Sequence, residues 1–528
     1  MSASLCDRTT EIVLGLDALR ARLAPHSEAG SRRVDKMRPY GIDDEEDWRA
    51  EMKRLAATEA WRDAAPERAE TAVDALGQLP LLDRPLRTLR ADAVLDDGQL
   101  FCLKRFLFYG KVAIEAADDL LAKWGLADDA TARFERLIDL IHPGGHASPR
   151  FHLADELGDD IAETRGRLRE KKRDLREVRG HLEDEIKAEF GGTFDINGRY
   201  HPGDEGRAQM ALERDDRLER LAGGWQLRDD ELDELRGAVD KLVEEVERAE
   251  QRVRSTLSEK LATRIEWFER TEQHLAALDV RLAKVRLRAE IGGCWPEWRD
   301  DPGCAIEGGR EPGLIEQLSE RDDESLQPVE VDLDARPAVV TGPNMGGKSV
   351  LLRLIGVCQW AAQHALPAPA ARFEFAPLAS IVYVGSEEPD VREANEGLSS
   401  FGREIARLVD RQQHSARPAL WLLDEVGRGT HPEEGSQIAR DLVASLADRD
   451  DRVVCATHFP ALTELDGALK LRIAGLTDPD RLEALLARDD LDVEDALRRS
   501  MDYRPVVADR ADVPRDARVV ARALGLDV

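Results

Sequence analysis

PAVVTGPNMGGKSVLLRLIGVCQW, residues 337–360, decides the fold. The apolar run from Ala338 to Thr341 reads as a buried strand, a glycine-rich turn follows, and apolar residues then recur at helical spacing. Gly342–Ser349 fits G-x-x-x-x-G-K-[ST] without a mismatch. Each part has a physical purpose. Glycines let backbone N–H groups curl around phosphate oxygens with no Cβ in the way. A helix starting near Lys348 aims the positive end of its dipole at the anion. Gly342, Pro343, Asn344, Met345, Gly346 and Gly347 form the expected cradle for ATP. Lys348 adds a point charge for the β- and γ-phosphates, and Ser349 a hydroxyl ligand for Mg2+.

Downstream, PALWLLDEVGRGTHPEEG (418–435) supplies a second half of the site. Ala419–Leu423 is apolar throughout, as a buried parallel strand is, and two carboxylates end it. Such a strand end is where an α/β sheet binds its ligand. Asp424 is expected to hold Mg2+, and Glu425 to orient or deprotonate the attacking water. A third strand, Arg452–Ala456 in RVVCATHFP (452–460), is followed by His458, which is expected to sense the γ-phosphate or its water. With Ile381–Val384 these strands make a repeated strand, turn and helix pattern: an α/β P-loop ATPase domain over residues 291–475.

The rest of the chain reads as helical. Residues 1–150 carry apolar residues at helical spacing, punctuated by Pro25, Pro39, Pro80 and Pro85, and form a helical core or connector region. LDDGQLFCLKRFLFYGKVAIEAADDLLAKW (95–124) reads as one long buried helix. Residues 151–290 hold two long amphipathic stretches. Leu157, Ile161, Leu168, Leu175, Val178, Leu182 and Ile186 form one seam, and Leu232 through Ile265 another from about Asp229. The glycine-rich GGTFDINGRYHPGDEG separates them, so they are expected to form an antiparallel coiled-coil lever and clamp arm. Residues 476–528 read as a short C-terminal helical segment.

Composition narrows the setting. Of 528 residues, 106 are Asp or Glu and 76 Lys or Arg, a net charge of −30. Only 13 of the basic residues are lysine. Acidity with few lysines suits a surface kept hydrated in high salt, so a halophilic cytoplasmic protein is expected. The six cysteines are scattered, without metal-site spacing, and are expected to be free thiols. No apolar run is long enough to span a membrane.

TGPNMGGKS, LLDEVGRGT and ATHFPALTEL, in this order and spacing, resemble the ATPase of the MutS family of DNA mismatch-repair proteins. GLSSFGREI (397–405) resembles the family's Ser-Thr-Phe segment, which reaches the other subunit's nucleotide and makes Ser399 the contact in trans. GGREP (308–312) and LAALDVRLAKVRL (275–287) resemble the opening of the domain and the end of the lever. The resemblance implies a homodimer with composite ATP and Mg2+ sites, C-terminal helices within the dimer contact, and DNA as partner. The chain departs from mismatch-reading members: no Phe-x-Glu wedge opens it, FLFYGK (106–111) lacks the Glu, and no nuclease domain is read after the ATPase.

One feature points to DNA directly. RGRLREKKRDLREVR (165–179) has eight Lys or Arg against three Asp or Glu. Arg165, Arg167, Lys171 and Lys172 on such a helix could grip phosphates as a clamp. The same charges also suit helical pairs such as Glu170 with Arg173. Two function classes follow: an ATPase that binds mismatched, branched or recombining duplex, or one that remodels a protein client. The second resembles MutS-like proteins, without the mismatch domain, that are thought to reactivate cobalamin-dependent aminomutases.

Overall fold

A computed structural model describes residues 4–122, 130–195, 198–202, 216–221, 224–319, 327–343, 346–385, 400–476, 479–486 and 493–508. The chain forms two compact units, one of residues 1–73 and 276–528 and the other of 74–275.

The first unit begins with helices α1 (Arg8–Val13), α2 (Leu16–Arg22), α3 (Glu28–Asp35) and α4 (Glu45–Ala64). Helix α5 (Pro66–Gly77) follows and runs across the boundary at residues 73 and 74. The second unit holds α6 (Asp83–Arg90), α7 (Asp97–Ala116), α8 (Asp118–Ala122) and α9 (Ala130–Ile141). A capping box starts α7: the Asp96 carboxylate accepts from the Gln99 amide while Gln99 returns its side-chain oxygen to the Asp96 amide. The stretch read as one long helix therefore starts at Asp97, and it is interrupted at Ala117 before α8.

The two coiled-coil stretches are α10 (Asp159–Phe190) and α11 (Asp230–Ala262). They run antiparallel: Asp160 pairs with Arg252, Arg165 with Glu250 and Arg167 with Glu245. Leu232, Val239, Leu242, Ala249, Val253, Leu257 and Leu261 are buried along the seam. Between the helices a small antiparallel sheet holds β1 (Thr193–Phe194), β2 (Arg199–His201), β3 (Leu218–Leu221) and β4 (Gly224–Leu227). Tyr200 and Trp225 of this sheet pack on Ile186 and Leu232, where α10 ends and α11 begins. The seam read through to Ile265 is broken: α11 stops at Ala262 and α12 (Ile265–Ile291) starts afresh. Apolar periodicity runs across the break because Thr263 and Arg264 form only a short turn between the helices.

The rest of the first unit is α/β. Strands β5 (Glu297–Trp298), β6 (Cys304–Gly309), β7 (Val329–Leu333) and β9 (Arg372–Phe375) form one sheet, with α13 (Pro312–Ser319) between β6 and β7. The central sheet has the order β10-β11-β12-β8-β13-β14, from β8 (Ala338–Thr341), β10 (Ser380–Gly385), β11 (Ala419–Asp424), β12 (Arg452–Ala456), β13 (Leu469–Leu476) and β14 (Met501–Val507). The first five are parallel. Helices α14 (Lys348–Gln363), α15 (Ser400–His414) and α16 (Pro432–Ala447) link them.

Alternate residues of each strand face opposite layers. Val340, Ile381, Leu420, Leu422 and Val454 pack on Leu352 and Ile355 of α14. Val339, Val382, Trp421, Leu423 and Val453 pack on Leu408 of α15 and on Ala439, Val443 and Leu446 of α16. Burial on both faces explains why these strands read as unbroken apolar runs.

Two further features depart from the sequence reading. Residues 4–64 join the ATPase core: the Trp48 indole donates to the Ala362 carbonyl, and the Tyr40 amide donates to the Gln363 carbonyl. The C-terminal segment is not wholly helical. After α17 (Pro479–Leu486) and α18 (Val493–Ser500), MDYRPVV forms β14, antiparallel to β13. Pro505 hides this strand from sequence reading, since it removes a ladder donor; β14 tolerates it as an edge strand.

Candidate active site

Of the glycine-rich turn, residues 342–343 and 346–349 are described. Gly347 adopts φ 85°, a left-handed conformation suited to glycine, and caps the start of α14. The Gly346 amide turns back to the Pro343 carbonyl at 3.0 Å. A Cβ on Gly346 would stand 2.8 Å from that carbonyl oxygen. Lys348, 5% exposed, folds over the turn: its Nζ donates to the carbonyls of Gly342 and Pro343 and lies 3.6 Å from Glu425. Ser349 is half-buried in the first turn of α14. Asn344 and Met345 lie outside the described residues.

Parallel register brings the carboxylates to this turn. Gly385, Asp424 and Ala456 are aligned at the carboxyl ends of β10, β11 and β12. Asp424 is 4% exposed, and its Oδ2 accepts the Tyr383 hydroxyl at 2.9 Å. Glu425 leaves the strand at φ 54°, strained for a residue with a Cβ, while its amide donates to the Ala456 carbonyl. Its carboxylate sits between Lys348 and Arg428, the latter at 2.8 Å. Gly427, at φ 86°, touches the backbone of Gly435 in α16 and donates its amide to Glu404 of α15. The loop after the carboxylates is thus clamped from two helices.

His458 is half-buried beyond β12. Burial holds its pKa below the usual imidazole value; Glu425 pulls it up, and Arg428 and Lys348 push it down. Its ring is therefore mainly neutral at pH 7. Thr457, whose amide bonds the Val340 carbonyl and whose hydroxyl accepts from Phe459, holds the strand exit in place. Ser399 lies outside the described residues; α15 starts at the next position, and a Cβ on Gly429 would stand 3.1 Å from the Phe401 backbone.

Lys348, Ser349, Asp424, Glu425 and His458 thus surround one turn. A buried amine, a helix N-terminus and strand-end carboxylates suit a triphosphate with its metal: the amine and dipole offset phosphate charge, and the carboxylates offset the cation. Sequence reading missed Tyr383, Glu404 and Arg428. The signal for Tyr383 was present, since a hydroxyl within the apolar SIVYVG needs a buried partner.

The basic stripe lies elsewhere, on α10. Arg165 pairs with Asp155 and Glu250, Arg167 with Glu245, and Lys171 with Asp174. Lys172 is exposed. Among the described residues no cluster of His, Cys, Asp and Glu suits a protein-only metal site, and all six cysteines are free. No helix among them is long and apolar enough to cross a membrane.

A family model described as MutS domain V matches residues 338–517. The Endonuclease MutS2 of Solidesulfovibrio magneticus is 32% identical over 231 residues, 43% of this chain and 29% of that protein. That of Thermomicrobium roseum is 29% identical over 218 residues, 40% of this chain and 27% of that protein. A longer match, to the Endonuclease MutS2 of Staphylococcus aureus, covers 71% of this chain and 48% of that protein at 24% identity. The chain thus spans under a third of the first two relatives and about half of the third.

Proposed function

Residues 338–517 are a MutS domain V, an ABC-type ATPase domain, in a chain distantly homologous to MutS2 proteins; on that premise we propose that the protein hydrolyses ATP with Mg2+ in a homodimer with composite sites. One observation carries the reading: Lys348, Asp424, Glu425 and His458 meet at the carboxyl ends of β8, β11 and β12. In this scheme Gly342–Gly347 cradle the phosphates and Lys348 draws the β- and γ-phosphates. Ser349 and Asp424 hold the cation, which supplies positive charge against the phosphate oxygens. Glu425 positions the water and takes its proton, exchanging its bond to Arg428 for one to the water. His458, mainly neutral, reports on the γ-phosphate by hydrogen bonding. Ser399 completes the partner's site. MutS-family proteins generally dimerise, which supports the composite arrangement.

The test is a set of single variants followed by nucleotide binding and turnover. Lys348→Ala should abolish nucleotide binding. Glu425→Ala should bind ATP and fail to turn it over; turnover at the wild-type rate removes Glu425 as the base.

For the client we propose duplex or branched DNA, in keeping with the MutS2 relatives, gripped by Arg165, Arg167, Lys171 and Lys172. Reversing all four to Glu should then weaken a gel shift at native salt across all sequences. A second reading, a protein client such as a cobalamin-dependent aminomutase, is favoured by the pairing of Arg165, Arg167 and Lys171 with carboxylates. Each pair must break before its cation can meet a phosphate. An unchanged gel shift in the reversed variant removes the four residues as the clamp; no shift in the wild type selects the second reading.

A further inference from the structure

Within β10, Tyr383 is fully buried, and burying a phenol is costly unless its hydroxyl is bonded. That hydroxyl donates to Oδ2 of Asp424 at 2.9 Å. Register explains the reach. Tyr383 lies beside Leu422 and Gly385 beside Asp424, so Tyr383, Gly385 and Asp424 share the face that meets α14. Gly385 makes the room: a Cβ there would stand 2.8 Å from the Asp424 Cβ and 3.0 Å from the Tyr383 hydroxyl.

The Tyr383 backbone is pinned on both sides. Its amide donates to the Thr10 hydroxyl of α1 at 3.2 Å, and its carbonyl accepts from Arg411 of α15. Arg411 also donates to Asp7, which caps α1. The ring thus occupies a fixed position set by α1 and α15 together.

We propose that Tyr383 is a positioning residue for Asp424: by engaging Oδ2 it holds the carboxylate in one orientation and so raises the Mg2+ affinity of the site. This rests on the reading of Asp424 as the residue that holds Mg2+. A carboxylate with no outer partner can rotate, and metal sites that lose such a partner typically weaken about 10–100-fold.

The test is the Mg2+ dependence of fluorescent ATP-analogue binding, measured from EDTA upward on the full chain. Tyr383→Phe keeps the ring and removes only the hydroxyl. It should bind the analogue in EDTA as the wild type does, with a similar Tm, and need about tenfold more Mg2+ for the metal-dependent gain. Gly385→Ala, which crowds the pair apart, should shift the Mg2+ midpoint in the same direction. It decides the matter should Tyr383→Phe fail to fold. Wild-type midpoints, with Asp424→Asn losing its Mg2+ response, overturn the proposal alone. An Asp424→Asn variant that titrates normally overturns the reading of Asp424 itself.

Discussion

Glu425 sits in a left-handed conformation between two cations, an arrangement that costs backbone energy and holds its carboxylate beside the nucleotide turn. Glu425→Gln keeps the shape but cannot accept a proton, so turnover should fall about 10²–10⁴-fold while ATP binding is retained; single-turnover kinetics would check this. His364, at the C-terminal end of α14, offers a cleaner electrostatic test. It is buried, its Nδ1 bonds the Trp360 carbonyl, and desolvation pushes its pKa down to about 3 from 6.5. Below pH 6.5 the unfolded chain binds a proton here that the folded chain refuses, so this group removes stability as pH falls from 6.5 towards 3. His364→Leu escapes that penalty but loses a hydrogen bond worth ~1 kcal/mol. Urea denaturation should therefore find the variant less stable at pH 7 and more stable than wild type at pH 4.

Among elements, α16 sets intrinsic preference against packing. Gly435 lies in its first turns, where replacing glycine with alanine in a helix normally gains ~1 kcal/mol. A Cβ there would stand 2.2 Å from the Gly427 carbonyl, in the loop that leaves the carboxylates. Gly435→Ala should therefore lose ~1–3 kcal/mol in urea unfolding and reduce turnover, because the loop must move. A gain in stability would mean that the close approach of loop and helix is dispensable. The pairing of α10 with α11 shows the opposite balance. Its exposed ion pairs add little individually, and its buried leucines and valines supply the stability.

For the whole molecule, charge and the N-terminal segment matter most. At −30 the chain repels itself, and exposed charges are screened beyond ~10 Å at 0.1 M salt and ~3 Å at 1 M. Thermal melts should rise between 0.1 M and 2 M KCl as salt screens this self-repulsion; a flat or falling Tm would argue against a surface suited to high salt. The N-terminal segment covers an edge of the central sheet: the Ile381 amide donates to the Leu5 carbonyl, and Cys6 bridges to Ile381. Removing residues 1–23 exposes that edge of β10. The truncated protein should lose nucleotide binding and aggregate, as light scattering would detect, although it lacks no predicted site residue.

Four strands, the phosphate turn and the two strand-end carboxylates were legible in the chain itself, because each is local: a buried parallel strand must be apolar, and a phosphate turn must be glycine-rich. Residues 338–341 and 452–456 were read with the bounds they take. Tertiary structure alone decided the rest. Thr10, Tyr383, Arg411 and Asp424 come together across 373 and 41 positions of sequence, β14 is admitted because the sheet ends there, and the basic residues of α10 find carboxylates on α11. Periodicity records which face of an element is apolar; it carries no information on which distant side chain will satisfy a buried hydroxyl or a charge, and that is settled only when the elements pack.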